Sequence, residues 1–110
     1  MHTVSVARDF TRYPSGRYKR FSRTSGEEFR ERFLLEPLRR GEPIVVDLDG
    51  TVGYGSSFLD EAFGGAARAL RYPAERMFSL LTIKASDASL IEEIREYVSD
   101  AAAAASDTAV

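Results

Sequence analysis

The sequence predicts an α/β domain with a mixed β-sheet and helices packed mainly on one face. Short apolar runs alternate with amphipathic stretches along the chain, which favours strands joined by helical crossovers. The length of 110 residues suits one domain. Apolar residues make up 44% and charged residues 29%, which is typical of a globular chain. The predicted element order is β-β-α-β-α-β-α.

Residues 3–10 are predicted as the first strand, because apolar side chains alternate there with polar or small ones. Residues 13–16 follow as a type I turn, with Pro14 second and Gly16 fourth. Residues 17–21 are then the return strand of a hairpin, at an exposed or edge position.

A capping box predicts the start of the first helix. Ser25 can accept a hydrogen bond from the amide of Glu28, whose side chain can reach back. Pro37 should kink or end this helix. Its apolar stripe consists of Phe29, Phe33 and Leu34.

Residues 44–48 are predicted as a buried central strand, followed by a glycine-rich loop over residues 49–55. Ser57 opens the second helix. Gly64 and Gly65 lie inside that helix, where small residues would let it pack closely against the sheet.

Tyr72-Pro73 is predicted to end the second helix. Residues 77–83 are then predicted as the third core strand. Ser89 and Glu92 form a second capping box, at the start of an amphipathic helix. We assign residues 1–100 to the domain and 101–110 to an Ala-rich tail, in which the helix ends and then frays.

Composition excludes several functions. The chain has no cysteine, so disulfides and cysteine-based zinc sites are absent. The only histidine is His2, which argues against Ser-His-Asp catalysis and histidine-rich metal sites. We also expect no membrane helix, no signal peptide, no cofactor and a cytoplasmic location.

Charge is divided unevenly along the chain. Residues 1–41 hold ten basic and five acidic side chains, and residues 42–110 hold five basic and twelve acidic ones. Basic residues mixed with aromatic ones can bind single-stranded nucleic acid, although the net charge of −2 makes this the less favoured reading. The residues that would bind nucleic acid are Arg17, Lys19, Arg20 and Arg23.

The residues Val46-Asp47-Leu48-Asp49-Gly50-Thr51-Val52 follow the predicted central strand and resemble the first motif of the HAD phosphatases. That resemblance implies magnesium bound by Asp47 and Asp49, with Asp47 as nucleophile and Asp49 as general acid. Lys84 would be the family's lysine. The likeness covers only this motif, because the family's later acidic pair has no counterpart.

A second resemblance covers residues 4–100. The strand and turn at residues 44–50 and the segment Gly55-Ser56-Ser57-Phe58-Leu59-Asp60-Glu61-Ala62-Phe63-Gly64 resemble the STAS-like domain family of unknown function. The start of the first helix at residues 25–30 and the Gly16-Arg17 pair are similar too. The family is related in plan to the STAS domains of anti-sigma factor antagonists.

This second resemblance implies a non-enzymatic regulatory module that binds a protein, such as a histidine-kinase-like ATPase or an anti-sigma factor. Ser57 matches the serine that such a kinase phosphorylates, and Ser56 the serine before it. Gly55 and Phe58 depart from the pattern, since an aspartate and a glycine stand there in STAS domains.

The partner would contact Ser56, Phe58, Asp60 and Glu61. A phosphate on Ser57 would be favourable at a helix N-terminus. It would also add negative charge to a surface that the partner buries, so it would switch binding off. The alternative is that Ser57 is simply the N-cap of its helix, and that Asp60 and Glu61 are ordinary first-turn acids. The sequence does not assign an oligomeric state.

Overall fold

The computed structural model describes residues 2–108, with side chains through residue 104. Within that range the fold is α/β, as predicted, with a three-stranded sheet. The strands are β1 (His2–Ser5), β2 (Ile44–Asp47) and β3 (Leu81–Lys84), in the spatial order β1-β2-β3. Both strand pairs are parallel, so over the described residues the expected mixed sheet is a parallel one.

Helices follow each strand of this sheet. Within the described residues they are α1 (residues 26–39), α2 (residues 56–70), α3 (Ala74–Leu80) and α4 (Ala88–Thr108). The last helix runs through the Ala-rich tail to Thr108, and the final part of the expected frayed end, residues 109–110, lies outside the described residues.

The two faces of the sheet differ in burial. Ile44 of β2 is in register with Leu81 of β3, and both side chains are buried. On the opposite face Val45 is flanked by Thr3 and Thr82, and both threonines are exposed. The helices therefore cover one face of the sheet, as the sequence predicts.

Helices α1 and α2 each contain a π-helical turn, over Arg30–Leu34 and Asp60–Gly64 respectively. A π turn closes a wider hydrogen-bonded ring than an α turn, so residues five apart come to the same side of the helix. Phe58 and Phe63 of α2 accordingly both pack against Phe29 of α1, with ring centroids 6.0 and 6.1 Å away.

The predicted first strand is wrong beyond Ser5. The Ser5 hydroxyl accepts a hydrogen bond from the Arg8 amide (3.2 Å), and Asp9 Oδ2 accepts one from the Ser5 amide (2.8 Å). These side-chain bonds compete with strand pairing and wind Val6–Phe10 into a π-helical turn. The turn buries Val6 and brings Phe10 onto the aromatic core.

The predicted return strand over residues 17–21 is also absent. The carbonyl oxygens of Gly16 and Arg17 instead accept hydrogen bonds from the amides of Gly26 and Glu27, both at 3.0 Å. The backbone of this segment therefore satisfies the free amides at the start of α1 rather than pairing with β1.

The predicted third strand over residues 77–83 is helical in its first part. Helix α3 continues to Leu80, and β3 begins at Leu81. Met77 and Leu80 are both buried at a helical spacing. An apolar run this short can pack as either element, which is why the boundary was misplaced.

One helix cap agrees with the sequence and one differs. Ser25 Oγ accepts a hydrogen bond from the Glu28 amide at 3.1 Å, which confirms Ser25 as the N-cap of α1. At α4, however, Asp87 Oδ1 accepts from both the amide and the hydroxyl of Ser89, at 2.9 and 2.6 Å. Asp87 therefore takes the capping role predicted for Ser89.

The glycines inside α2 allow close packing, as predicted, but against helices rather than the sheet. A Cβ on Gly64 would lie 3.2 Å from the carbonyl oxygen of Tyr97 in α4. One on Gly65 would lie 3.3 Å from Cδ of Arg30 in α1. Pro37, which was expected to kink or end α1, lies in the last segment of that helix, Leu35–Arg39.

We predict that Gly26→Ala destabilises the fold. The new Cβ would collide with the carbonyl oxygen of Phe58 and lie 3.0 Å from the backbone nitrogen of Ala62. The free energy of unfolding, measured by urea denaturation, should fall by about 1–3 kcal/mol. Gly55→Ser is the control, because a Cβ at Gly55 meets no described residue within 4 Å. Equal stability of Gly26→Ala and wild type would show that α1 and α2 can separate without cost.

Candidate functional site

The carboxyl ends of the three parallel strands lie at one edge of the sheet, where sites of open α/β sheets gather. The loop after β2, over residues 48–55, leads there into α2. The loop after β3, over residues 85–87, lies beside it, because Ser86 bonds to Asp49. The candidate site predicted from the sequence lies in the first of these loops.

Asp49 ties the two loops together. Its Oδ1 accepts a hydrogen bond from the Ser86 amide (2.8 Å), and its Oδ2 accepts one from the Ser86 hydroxyl (2.9 Å). These two bonds lower the pKa of Asp49, the amide bond contributing most. The ionised form of Asp49 is therefore favoured, and its two oxygens hold the loop after β3 against the loop after β2.

Asp47 lies next to it and faces Lys84. Asp47 Oδ1 accepts a hydrogen bond from the Asp49 amide at 3.0 Å, and its Oδ2 is 3.8 Å from Lys84 Nζ. The structure thus brings together the residues that the phosphatase resemblance named. Among the described residues, no group of three or more histidine, aspartate or glutamate side chains could hold a metal ion.

Tyr54 fixes the loop after β2. Its hydroxyl donates a hydrogen bond to the Leu48 carbonyl oxygen at 2.7 Å, and its ring packs on Phe58 at 5.8 Å. Burial raises the pKa of Tyr54 to about 12, so the phenol stays protonated and keeps this bond. Gly53 and Gly55, on either side of Tyr54, are by contrast exposed.

Ser56 and Ser57 occupy the first two positions of α2, and both are exposed. Gly55 is the N-cap, so Ser57 is not the cap. Ser56 lies near the hydroxyl of Tyr97, which donates to Glu93 Oε2 at 2.6 Å; that bond to Glu93 raises the Tyr97 pKa. Within the described part of the chain, the Ser57 hydroxyl makes no hydrogen bond.

The structure corrects the expectation for Phe58. Its side chain is 0% exposed and packs among Phe10, Phe29 and Tyr54, so it presents no surface to a partner. The bulky residue that stands where STAS domains have a glycine is a core residue in this chain.

Asp60 and Glu61 are already paired with arginines that sequence spacing could not connect to them. Arg17 Nη1 donates to Asp60 Oδ2 (2.8 Å) and Glu61 Oε1 (3.2 Å). Arg30 Nη1 donates to Glu61 Oε2 at 2.7 Å, and both side chains are nearly buried, at 12% and 13% exposure. The hydrogen bond to Asp60 is the main cause that raises the pKa of Arg17.

Two of the residues considered for nucleic-acid binding are neutralised by carboxylates. Arg17 pairs with Asp60 and Glu61, as described above. Lys19 pairs with Glu31, with its Nζ 2.6 Å from Glu31 Oε1. Arg20 and Arg23 are exposed, and Arg20 lies over the rings of Tyr18 and Phe21. The four basic residues therefore do not form a continuous free cationic track.

Together these features define a two-layer α/β domain with an open parallel sheet and an exposed serine pair at the start of one helix. The profile of the STAS-like domain of unknown function (DUF4325) matches residues 25–89, from the cap of α1 to the start of α4. The chain belongs to this family. Searches of curated proteins and of solved structures find no match. Within the described residues, no helix is long and apolar enough to cross a membrane.

We predict that Ser86→Ala raises the pKa of Asp49 toward its ordinary value of 3.8. The hydroxyl bond is lost while the larger amide bond remains, so the pKa should rise only in part. Because the folded pKa is depressed, the Ser86–Asp49 link stabilises the fold above the ordinary pKa and is lost as pH falls through the lowered value. A carboxyl NMR titration measures this shift.

Ser89→Ala is the matched control for this titration. It should raise the pKa of Asp87, whose depression depends first on the Ser89 hydroxyl, and leave that of Asp49 unchanged. An Asp49 titration identical in wild type and Ser86→Ala would contradict the role given to the hydroxyl.

We predict that Phe58→Ala lowers the free energy of unfolding by about 3–5 kcal/mol, because it opens a cavity in the aromatic core. Chemical denaturation followed by circular dichroism measures the loss. Val52→Ala is the control: Val52 is 74% exposed, and its truncation should change stability by less than about 0.5 kcal/mol. Similar stabilities for the two variants would mean that Phe58 is not a core residue.

Proposed function

We propose that this domain is a non-enzymatic regulatory module that binds a protein partner at the start of α2, and that phosphorylation of Ser57 prevents this binding. The observation that carries the proposal is the Ser57 side chain: it is exposed, without a hydrogen bond among the described residues, and set in the first turn of a helix. Membership of the STAS-like family supports a regulatory role.

The surface around Ser57 is suited to docking because it is exposed and because hydrogen bonds hold the loop before α2 in place. Val52, an apolar residue, is 74% exposed before the helix. Its amide donates to the Arg12 carbonyl oxygen at 2.9 Å, and Tyr54 anchors the same loop to Leu48. A prearranged surface loses less conformational entropy when a partner binds.

A phosphate on Ser57 is compatible with the folded domain. The first amides of a helix have no partner within it, and the helix dipole favours an anion there. The carboxylate one turn onward, Asp60, is compensated by Arg17 at 2.8 Å and Arg68 at 3.5 Å. The repulsion between a phosphate on Ser57 and the Asp60 carboxylate is therefore reduced.

A partner would respond differently to the same phosphate. Burying close to two added negative charges in an interface is costly unless the partner supplies matching cations. The modification would therefore act on binding rather than on folding. By analogy with anti-sigma factor antagonists, the partner would be an ATPase of the histidine-kinase-like fold or an anti-sigma factor.

We predict that Ser57→Glu weakens partner binding roughly tenfold or more while leaving thermal stability close to that of wild type. Purified histidine-kinase-like ATPases encoded by the same genome are the probes, and calorimetry measures each affinity. Ser99→Glu is the matched control, since Ser99 is exposed on α4 and gains the same charge. It should bind as wild type does.

The same ATPases, incubated with ATP and the domain, should transfer phosphate to Ser57 and not to Ser57→Ala, as read by mass spectrometry. Equal affinity of Ser57→Glu and wild type for the partner would contradict the proposal that phosphorylation of Ser57 prevents binding. Magnesium-dependent hydrolysis of phosphate esters that disappears in Asp47→Asn would overturn the non-enzymatic assignment and make the strand-end aspartates an active site.

A further inference from the structure

The loop over residues 12–23, named here the basic loop, presents aromatic side chains to solvent. Tyr13, Tyr18 and Phe21 are 64%, 42% and 76% exposed. The loop holds five basic and no acidic side chains. Clustered exposed rings and arginines are the composition of energetically dominant interface residues. The function proposed for Ser57 uses none of these three aromatic rings.

The basic loop is held in place at several points. The Ser15 amide donates to the Thr24 carbonyl oxygen at 2.9 Å, which closes the base of the loop. The amides of Phe21 and Ser22 donate to the Tyr18 carbonyl oxygen at 3.1 and 3.2 Å and close its tip.

Helix α1 supports the same loop from one side. Glu27 Oε1 accepts a hydrogen bond from the Lys19 amide at 2.9 Å, and Glu31 pairs with the Lys19 ammonium group. The exposure of the rings is thus a property of an ordered segment, and its conformation is set before any partner arrives.

Three arginines of the basic loop have no carboxylate partner among the residues that the structure describes. Within the described residues, no acidic oxygen lies within ion-pair distance of Arg12, Arg20 or Arg23, and all three are exposed. The Arg20 guanidinium carbon lies 4.7 Å from the ring centroid of Phe21 and 5.9 Å from that of Tyr18. This stacking holds a cation beside the most exposed ring.

A cleft of about 400 Å³ opens next to this stack, lined by Tyr18, Lys19, Arg20 and Glu27. It is large enough for an apolar side chain of another protein. The loop therefore offers a protruding ring, a recess and free cations within a few residues.

We propose that the basic loop is a docking surface for an acidic segment of another protein. Phe21 is the apolar anchor, the cleft beside Tyr18 receives an apolar side chain of the partner, and Arg12, Arg20 and Arg23 pair with its carboxylates. This surface does not include Ser57, and its use does not require phosphorylation.

The observations favour a protein over a nucleic acid. Nucleic-acid binders present cations along a continuous track and leave ring faces free for bases. In this loop Arg17 and Lys19 are neutralised, and Arg20 already covers one face of the two neighbouring rings. Three free arginines match a few carboxylates better than a chain of phosphates.

A peptide titration tests the proposal on the full chain. The main probe is a short fluorescent peptide of glutamate and aspartate around a central Leu-Phe pair. Companion probes replace the acids by lysine, or the Leu-Phe pair by serine, and an oligouridine represents single-stranded nucleic acid. Fluorescence anisotropy measures affinity, and backbone amide NMR shifts locate the bound site.

The acidic Leu-Phe peptide should bind more tightly than every companion probe and shift the amides of residues 18–23. Phe21→Ala and Arg20→Glu should each weaken it roughly tenfold or more. Arg39→Glu should not, since Arg39 is an exposed arginine at the end of α1, outside the basic loop. Unchanged thermal unfolding shows that the variants remain folded.

Three results would overturn the proposal. The first is no binding of the acidic peptide, or shifts located away from residues 18–23. The second is tighter binding of oligouridine, which would assign the loop to nucleic acid. The third is equal affinity in Phe21→Ala and wild type. Ser57→Glu should leave this affinity unchanged, so failure here and failure of the phosphorylation switch give different results.

Discussion

The contact between the first turn of α1 and the first half of α2 is the constraint on which most of the domain depends. Gly26 lets the backbones meet, because a side chain there would strike the Phe58 carbonyl oxygen. Beneath this contact, Phe29 packs on Phe58 and Phe63. Since the loop at residues 16–17 bonds to the start of α1, the same contact also places the basic loop relative to α2.

An ion pair between Arg30 and Glu61 spans the same contact. Arg30 and Glu61 are nearly buried, and the Nε of Arg30 has no hydrogen-bond partner in the described part of the chain. A buried pair offsets its desolvation only in part, but removing one partner leaves an uncompensated charge. The network therefore penalises any other arrangement of the two helices, and through Arg17 it extends the same constraint to the surface.

The sequence was most informative where periodicity and capping agree. Ser25 capped α1 as expected, and the buried run at residues 44–48 formed the central strand up to Asp47. It was misleading at residues 3–10, where bonds from Ser5 and Asp9 override an alternating pattern. Such local competition depends on side-chain geometry, which residue type alone does not define.

The candidate site shows the same division. The strand-to-helix loop and the serines at the start of α2 follow from the order of elements, so sequence located them. The pairing of Asp60 and Glu61 with Arg17 and Arg30 joins residues far apart in the chain, and no spacing rule could connect them. Phe58 was misjudged because residue type does not tell which way the first turn of α2 faces.

The π turn in α1 has a further consequence for comparison with relatives. A π turn is equivalent to one residue inserted into an α-helix, so Phe29 and Leu34 are both buried although ordinary helical spacing would separate them. A relative with a regular helix here would bury the same core with one residue fewer. An alignment with such a relative should therefore place a single-residue gap within residues 30–34, where a gap in a core helix would otherwise look like an error.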